Sequence, residues 1–392
     1  MIINYTADYI LPVSSDPVKN GIVAVDEHGL INGIYEKDSP ELKDKPVIAL
    51  EGVIVPGFIN SHCHLELSHL HQKIGKHLGL IPFIKDVISQ RGLIDPDLHA
   101  EVMKHADKTM FENGIVAVGD ISNTEASAKI KKKSSIYYHT YIELLGIDPN
   151  KAPEILRSGL SLKEKFSSMP ASIVPHAPYS VSKALFKEII NLSKGAENKL
   201  CIHNQESDEE NTFFRYKTGK FVEFYADLNL DIGYFKPQAK NSLQSFTLLL
   251  PKDKEIMLVH NTYTSLKDIY FMRRSDRNIT WCFCPNANLY IENRLPKIDM
   301  FLLDGFNITL GTDSLASNDE LSILSELKTL QSYFPELPFN ETLKWATLNG
   351  ARFLAIEGRF GSIEKGKKPG LNLISNMEGL KLTSKSKVQK II

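Results

Sequence analysis

The sequence predicts an α/β fold: a (β/α)8, TIM-like barrel over residues 53–356, flanked by a small β-sandwich built from residues 1–52 and 357–392. Three observations predict it. Eight short, β-branched apolar runs recur between residues 53 and 314, separated by longer helix-like segments, the pattern of a parallel sheet covered on its outer face. Before residue 53 and after residue 356 the runs are shorter and are punctuated by Asp, Gly, Pro and Asn, as in small antiparallel sheets. A chain of 392 residues has room for one such barrel, which takes about 250 residues, with attachments.

Taken in order, IINYTADYI, GIVAV, LINGIYE and VIAL are the amino-terminal strands. The barrel strands follow as VIVPGFINS, GIVAVGDIS, IYYHTYIEL, SIVPHAPYS, LCIHNQES, IMLVHNTY, ITWCFCPNA and NITLGTDS. GRFGSIEKGKKPGLNLISN then reverts to short strands and turns and rejoins the amino-terminal piece. The lysine cluster Lys131 to Lys133 reads as a solvated helix end.

Composition narrows the function. Lys+Arg of 46 against Asp+Glu of 47 leaves a formal charge of -1, which argues against disorder and against a strongly basic surface, so no nucleic-acid partner is expected. No apolar stretch approaches the ~20 residues that cross a bilayer, and the amino-terminal residues lack a basic segment followed by an apolar one. A cytoplasmic protein without a membrane partner is expected. Cys63, Cys201, Cys282 and Cys284 are too scattered for a disulfide framework, and Cys282 and Cys284 read as buried small hydrophobes.

The 12 histidines are not evenly spread. His62 and His64 follow the first barrel strand, His176 the fourth, His203 the fifth and His260 the sixth, while Asp313 follows the eighth. Parallel barrel strands end on one face, so these residues converge on one mouth. Alone, each histidine could be a satisfied core residue and Asp313 a helix cap. Together, His62, His64, His203 and Asp313 offer three imidazoles and a carboxylate, a set suited to one divalent ion, zinc or alternatively Fe(II). No lysine ends the fourth strand to bridge a second ion. Glu206, three residues past His203, is a candidate proton carrier. His260 is left to steady the attacking oxygen, and His176 to contact substrate.

The segments PGFINSHCHLELSHL, IVPHAPYSVS, IHNQES, LVHNTY, FCPNANLY and LGTDSLASNDELSILSELK, in that order, resemble the amidohydrolase superfamily. Within it they are similar to the branch of nucleoside and purine deaminases and chlorohydrolases. HLELS is closest in motif to the aminodeoxyfutalosine deaminases, with deaminases of adenosine, methylthioadenosine or S-adenosylhomocysteine as the alternative, then another cyclic C–N hydrolase or chlorohydrolase. The resemblance implies hydrolytic removal of the 6-amino group of an adenine-type nucleoside at one metal ion on His62, His64, His203 and Asp313. It further implies catalysis by Glu206, His260 and Asp313, a substrate contact from His176, and a small-molecule substrate as partner, with a homodimer as the common assembly. Glu66 becomes a candidate for the ribose hydroxyls. IELLGIDP departs from the pattern, having Glu143 and no arginine, which counts against S-adenosylhomocysteine and leaves Arg215 as a candidate reader of an acidic group.

Overall fold

The computed structural model describes residues 1–194, 198–303 and 305–392. Eight parallel strands make the barrel: β1 (Phe58–Cys63), β2 (Ile115–Ser122), β3 (Tyr137–Leu144), β4 (Ala171–Pro175), β5 (Leu200–Asn204), β6 (Glu255–His260), β7 (Asn278–Phe283) and β8 (Asn307–Leu310). They form two parallel runs in the spatial orders β4-β3-β2-β1 and β5-β6-β7-β8. Two seams join the runs. Cys63 bridges Asp313 in parallel, with the amides of Thr312 and Asp313 each donating to the His62 carbonyl at 3.1 Å. On the far side the His203 amide donates to the His176 carbonyl at 2.9 Å. All residues of β2 and β5 are buried, because helices cover the outside while side chains fill the inside.

The chain ends form two further sheets, and they pair with each other in the second. One holds Ile31–Tyr35, Ile22–Asp26, Ile2–Thr6 and Val47–Ala49 in that order. The other runs Lys387–Lys390, Leu371–Ser375, Val53–Pro56, Tyr9–Ile10 and Val18–Lys19. Val23, Val25, Ile54 and Leu371 pack together as their apolar core. Pairing is mixed and not purely antiparallel: Ile2–Thr6 runs parallel to Val47–Ala49, and Tyr9–Ile10 parallel to Val53–Pro56.

Two expectations need correction. VIVPGFINS is two strands, because Val53–Pro56 pairs with Leu371–Ser375 in the terminal sheet and only β1 belongs to the barrel. Both halves are buried, so the run reads as one; the changeover lies at Gly57 and not at residue 53. Lys131 is not a solvated helix end. It lies on the inner side of the helix Ala128–Lys133, fully buried, with Nζ 2.6 Å from Asp120 Oδ2, while Lys132 and Lys133 are exposed.

Gly57 is the joint between sheet and barrel. A Cβ there would sit 2.3 Å from Val116 Cγ1 and 2.7 Å from the Pro369 carbonyl oxygen. Overpacking of this kind costs about 1–3 kcal/mol. Gly57→Ala is therefore expected to lower the midpoint of thermal unfolding by several degrees, and an unchanged midpoint would show that the joint has slack.

Candidate active site

Four residues converge where the seam closes. His64 Nε2 lies 3.1 Å from His62 Nε2 and 3.3 Å from His203 Nε2, and Asp313 Oδ1 lies 3.6 Å from His62 Nε2 and 3.3 Å from His64 Nε2. One donor atom from each of the four falls within 4.8 Å of the others, and all four residues are buried. Nitrogen and oxygen donors packed this closely fit one divalent ion.

The outer atoms of two of these rings are also engaged, which aims the inner atoms at the centre. His203 Nδ1 donates to the His176 carbonyl at 2.9 Å, and His62 Nδ1 faces Cys201 Sγ at 3.6 Å. Ser317 Oγ donates to Asp313 Oδ2, leaving Oδ1 for the cluster. Burial pushes the His64 and His203 imidazoles well below their ordinary range, which keeps them neutral and available as ligands. Burial alone would raise Asp313, but a hydrogen bond from His62 and the imidazoles of His64 and His260 close by hold it well below the usual carboxylate range.

Three turns at the mouth adopt left-handed backbone: Gln205 (φ 45°), His260 (φ 71°) and Asp313 (φ 55°). Such conformations are costly for residues other than glycine and persist where neighbours fix them. Gln205 is fixed by its amide, which donates to Asn211 Oδ1 at 3.0 Å, and by Thr264 Oγ1, which donates to it at 2.7 Å. This turn brings Glu206 back into the mouth just before Ser207 caps the helix Asp208–Tyr216. Glu206 Oε1 then stands 3.6 Å from His260 Nε2. His260 Nδ1 donates to Asn288 Oδ1 at 2.9 Å, so Nε2 is the atom it presents to the site. Burial, with Asp313 and Glu292 nearby, raises the Glu206 carboxyl well above its usual range, and burial lowers His260.

The cluster opens into a cavity of about 390 Å³. His176, half-buried, lies on its wall with Nδ1 2.6 Å from Ser180 Oγ, and burial drives this imidazole down to about 3. The outer wall is apolar, with Phe83, Val87, Ile147, Phe224 and Leu228 among its residues. Polar residues interrupt it, among them Arg91, Asn123, Glu143 and Asp148. Asn123 Nδ2 donates to Glu143 Oε2 at 3.0 Å, while Arg91 Nη2 donates to Asn123 Oδ1 at 3.3 Å. Burial raises the Glu143 carboxyl to about 7. Lys151, which follows β3, also lines the cavity, so a cation does stand on that segment although no arginine does.

Two expected substrate contacts are placed elsewhere. Glu66 is buried behind the cavity wall, and its oxygens accept from the amides of Asn123 and Thr124, each at 3.1 Å, and from Ser127 Oγ at 3.2 Å. Arg215 is exposed on the helix Asp208–Tyr216 and is not on the cavity wall, because that helix turns its Phe213 and Phe214 inward instead.

A buried three-histidine, one-aspartate cluster at the carboxyl ends of barrel strands, beside an acid and a further histidine, has the donor set that metal-assisted hydrolysis uses. The chain belongs to the Amidohydrolase family, whose sequence pattern matches residues 53–391. It is 29% identical over 331 residues to an adenosine deaminase of Helicobacter pylori, covering 82% of this chain and 78% of that one. It is 26% identical over 352 residues to an aminodeoxyfutalosine deaminase of Nitratiruptor, covering 86% and 84%. Its fold is that of the H. pylori aminofutalosine deaminase solved with methylthio-coformycin, at a TM-score of 0.83 and 22% identity over the whole of both chains. Among the described residues, no helix is long and apolar enough to cross a membrane.

Asp313 supplies the only negative charge among the four donors, so Asp313→Ala is expected to reduce bound divalent metal from near one per chain to a small fraction, read by elemental analysis. Full metal content in that variant would remove Asp313 from the ligand set.

Proposed function

We propose that the protein is a hydrolytic deaminase acting on the 6-amino group of an adenine nucleoside that carries a largely apolar 5′ substituent, with aminodeoxyfutalosine as the favoured substrate. The observation that carries this reading is a single cavity with a polar, metal-suited floor and an apolar outer wall. Deaminase names among the relatives support the chemistry. The outer wall supports the substituent, because the bare hydroxymethyl group of adenosine would leave Phe83, Val87 and Phe224 without an apolar partner. Arg91 and Lys151 on the same wall suit an acidic group at the substituent's far end.

His62, His64, His203 and Asp313 hold the ion, proposed as zinc with Fe(II) as the alternative. When bound, the ion supplies a Lewis acid that brings a water within reach of neutral-pH ionisation. Glu206, at the mouth and facing His260, accepts the proton of the attacking water and returns it to the departing nitrogen, which leaves as ammonia. His260 offers Nε2 to the attacking oxygen, its ring held by Asn288. His176 orients the purine from the wall. The apolar wall excludes competing water once substrate is seated.

Mass spectrometry on adenosine, methylthioadenosine, S-adenosylhomocysteine and aminodeoxyfutalosine, with metal-assayed protein, tests the assignment. The expected result is ammonia release with the mass change of an amine-to-carbonyl exchange, fastest on aminodeoxyfutalosine. Addition of one water to a ring without ammonia release would overturn the deaminase reading. Glu206→Gln is expected to keep its metal while kcat falls ~10²–10⁴-fold, as for other general acid–base groups; unchanged turnover would exclude Glu206 as the proton carrier.

A further inference from the structure

A second group of buried charges lies behind the first pair of metal-binding histidines, outside the cavity. Lys131 Nζ is fully buried and lies 2.6 Å from Asp120 Oδ2. It donates to Ser122 Oγ at 2.8 Å and Thr140 Oγ1 at 3.3 Å, and sits over the rings of Phe166 and Tyr138 at 5.1 and 5.6 Å. A lysine so enclosed requires its counter-charge, since removing one partner of a buried pair leaves an uncompensated ion.

The other Asp120 oxygen looks toward the metal cluster. Oδ1 accepts the amide of Leu65 at 2.8 Å, and Leu65 is the residue immediately after His64. Asp120 also stands in register with Cys63, between the two histidines of the pair. At this point β1 ends and the chain turns irregularly through His64 (φ -126°, ψ 80°) into the short helix Leu65–Leu70. Strand pairing ends at Cys63, and just beyond it the Leu65 amide is held by Asp120, whose other oxygen faces Lys131.

We propose that Asp120 is a positioning residue for the metal-binding pair His62 and His64: its carboxylate, with Lys131 as the buried counter-charge, pins the Leu65 amide and so sets where the His64 imidazole stands. The inference rests on the four-residue metal cluster and is independent of the substrate.

Single substitutions would strand a buried charge and risk unfolding, so two double variants are compared. Asp120→Ala/Lys131→Met removes both charges and the acceptor for Leu65. Asp120→Asn/Lys131→Met also removes both charges but keeps an acceptor oxygen. Apo-protein of each, with thermal unfolding recorded as the control for folding, is titrated with Co(II) and followed by its visible absorption. Cobalt affinity is expected to fall about 10–100-fold, with shifted bands, in the alanine variant, the usual scale for lost support of a ligand. The asparagine variant is expected to recover most of the affinity and the original bands. Equal affinity and spectra in both doubles overturn the inference, whatever their stability. Absence of cobalt binding by the wild-type chain would instead overturn the metal cluster itself, and this inference with it.

Discussion

The mouth of this barrel depends on the seam between β1 and β8. The His62 carbonyl accepts both the Thr312 and Asp313 amides, which closes the sheet, while the His62 imidazole faces the Asp313 carboxylate. Closure of the fold and assembly of the first ligands are thus one event. A sheet left open at that seam would strand an apolar strand edge and separate a carboxylate from three imidazoles, so fold and site stand or fall together.

Burial then sets the charge state of what the seam assembles. Deep in the barrel, burial lowers the His64 and His203 imidazoles and raises the Glu206 carboxyl, whereas Asp313 is held low because His62, His64 and His260 surround it. A carboxylate among imidazoles is a ligand set suited to a cation. The outer atoms of three rings complete that preparation, through the His176 carbonyl for His203, Cys201 for His62 and Asn288 for His260, so that rotation of any of these would break a second contact.

Much of this was legible in the sequence, for an identifiable reason. Parallel strands put their ends on one face, so a ligand-type residue after an apolar run can be placed at the mouth without coordinates. His62, His64, His203, His260 and Asp313 were legible in this way. Direction was not legible wherever the chain had left a strand. Glu66 follows the HxH pair but lies on a short irregular helix that turns it onto the Asn123 and Thr124 amides. Arg215 shares a helix with the buried Phe213 and Phe214, and its face is fixed by them. Arg91 reaches the cavity from the far end of the helix Leu80–Gln90, and Lys131 lies within AKIKKK, where no apolar periodicity marks an inner side. Asn288 and Ser317 carried a weak signal, a polar residue shortly after a strand-end motif, which becomes readable only once the facing side chain is known.

The terminal sheet adds a constraint of timing. Val53–Pro56 leads directly through Gly57 into β1, yet its neighbour Leu371–Ser375 lies beyond every barrel strand in the chain. During synthesis the ribosome must therefore deliver the whole barrel before the edge next to the first ligand strand finds its mate. Until then a stretch of valine and isoleucine waits exposed, an adhesive edge of the kind that recruits chaperones or joins strands between chains. The sandwich acts as a clasp that is fastened last, and the nascent chain is most vulnerable just before it shuts.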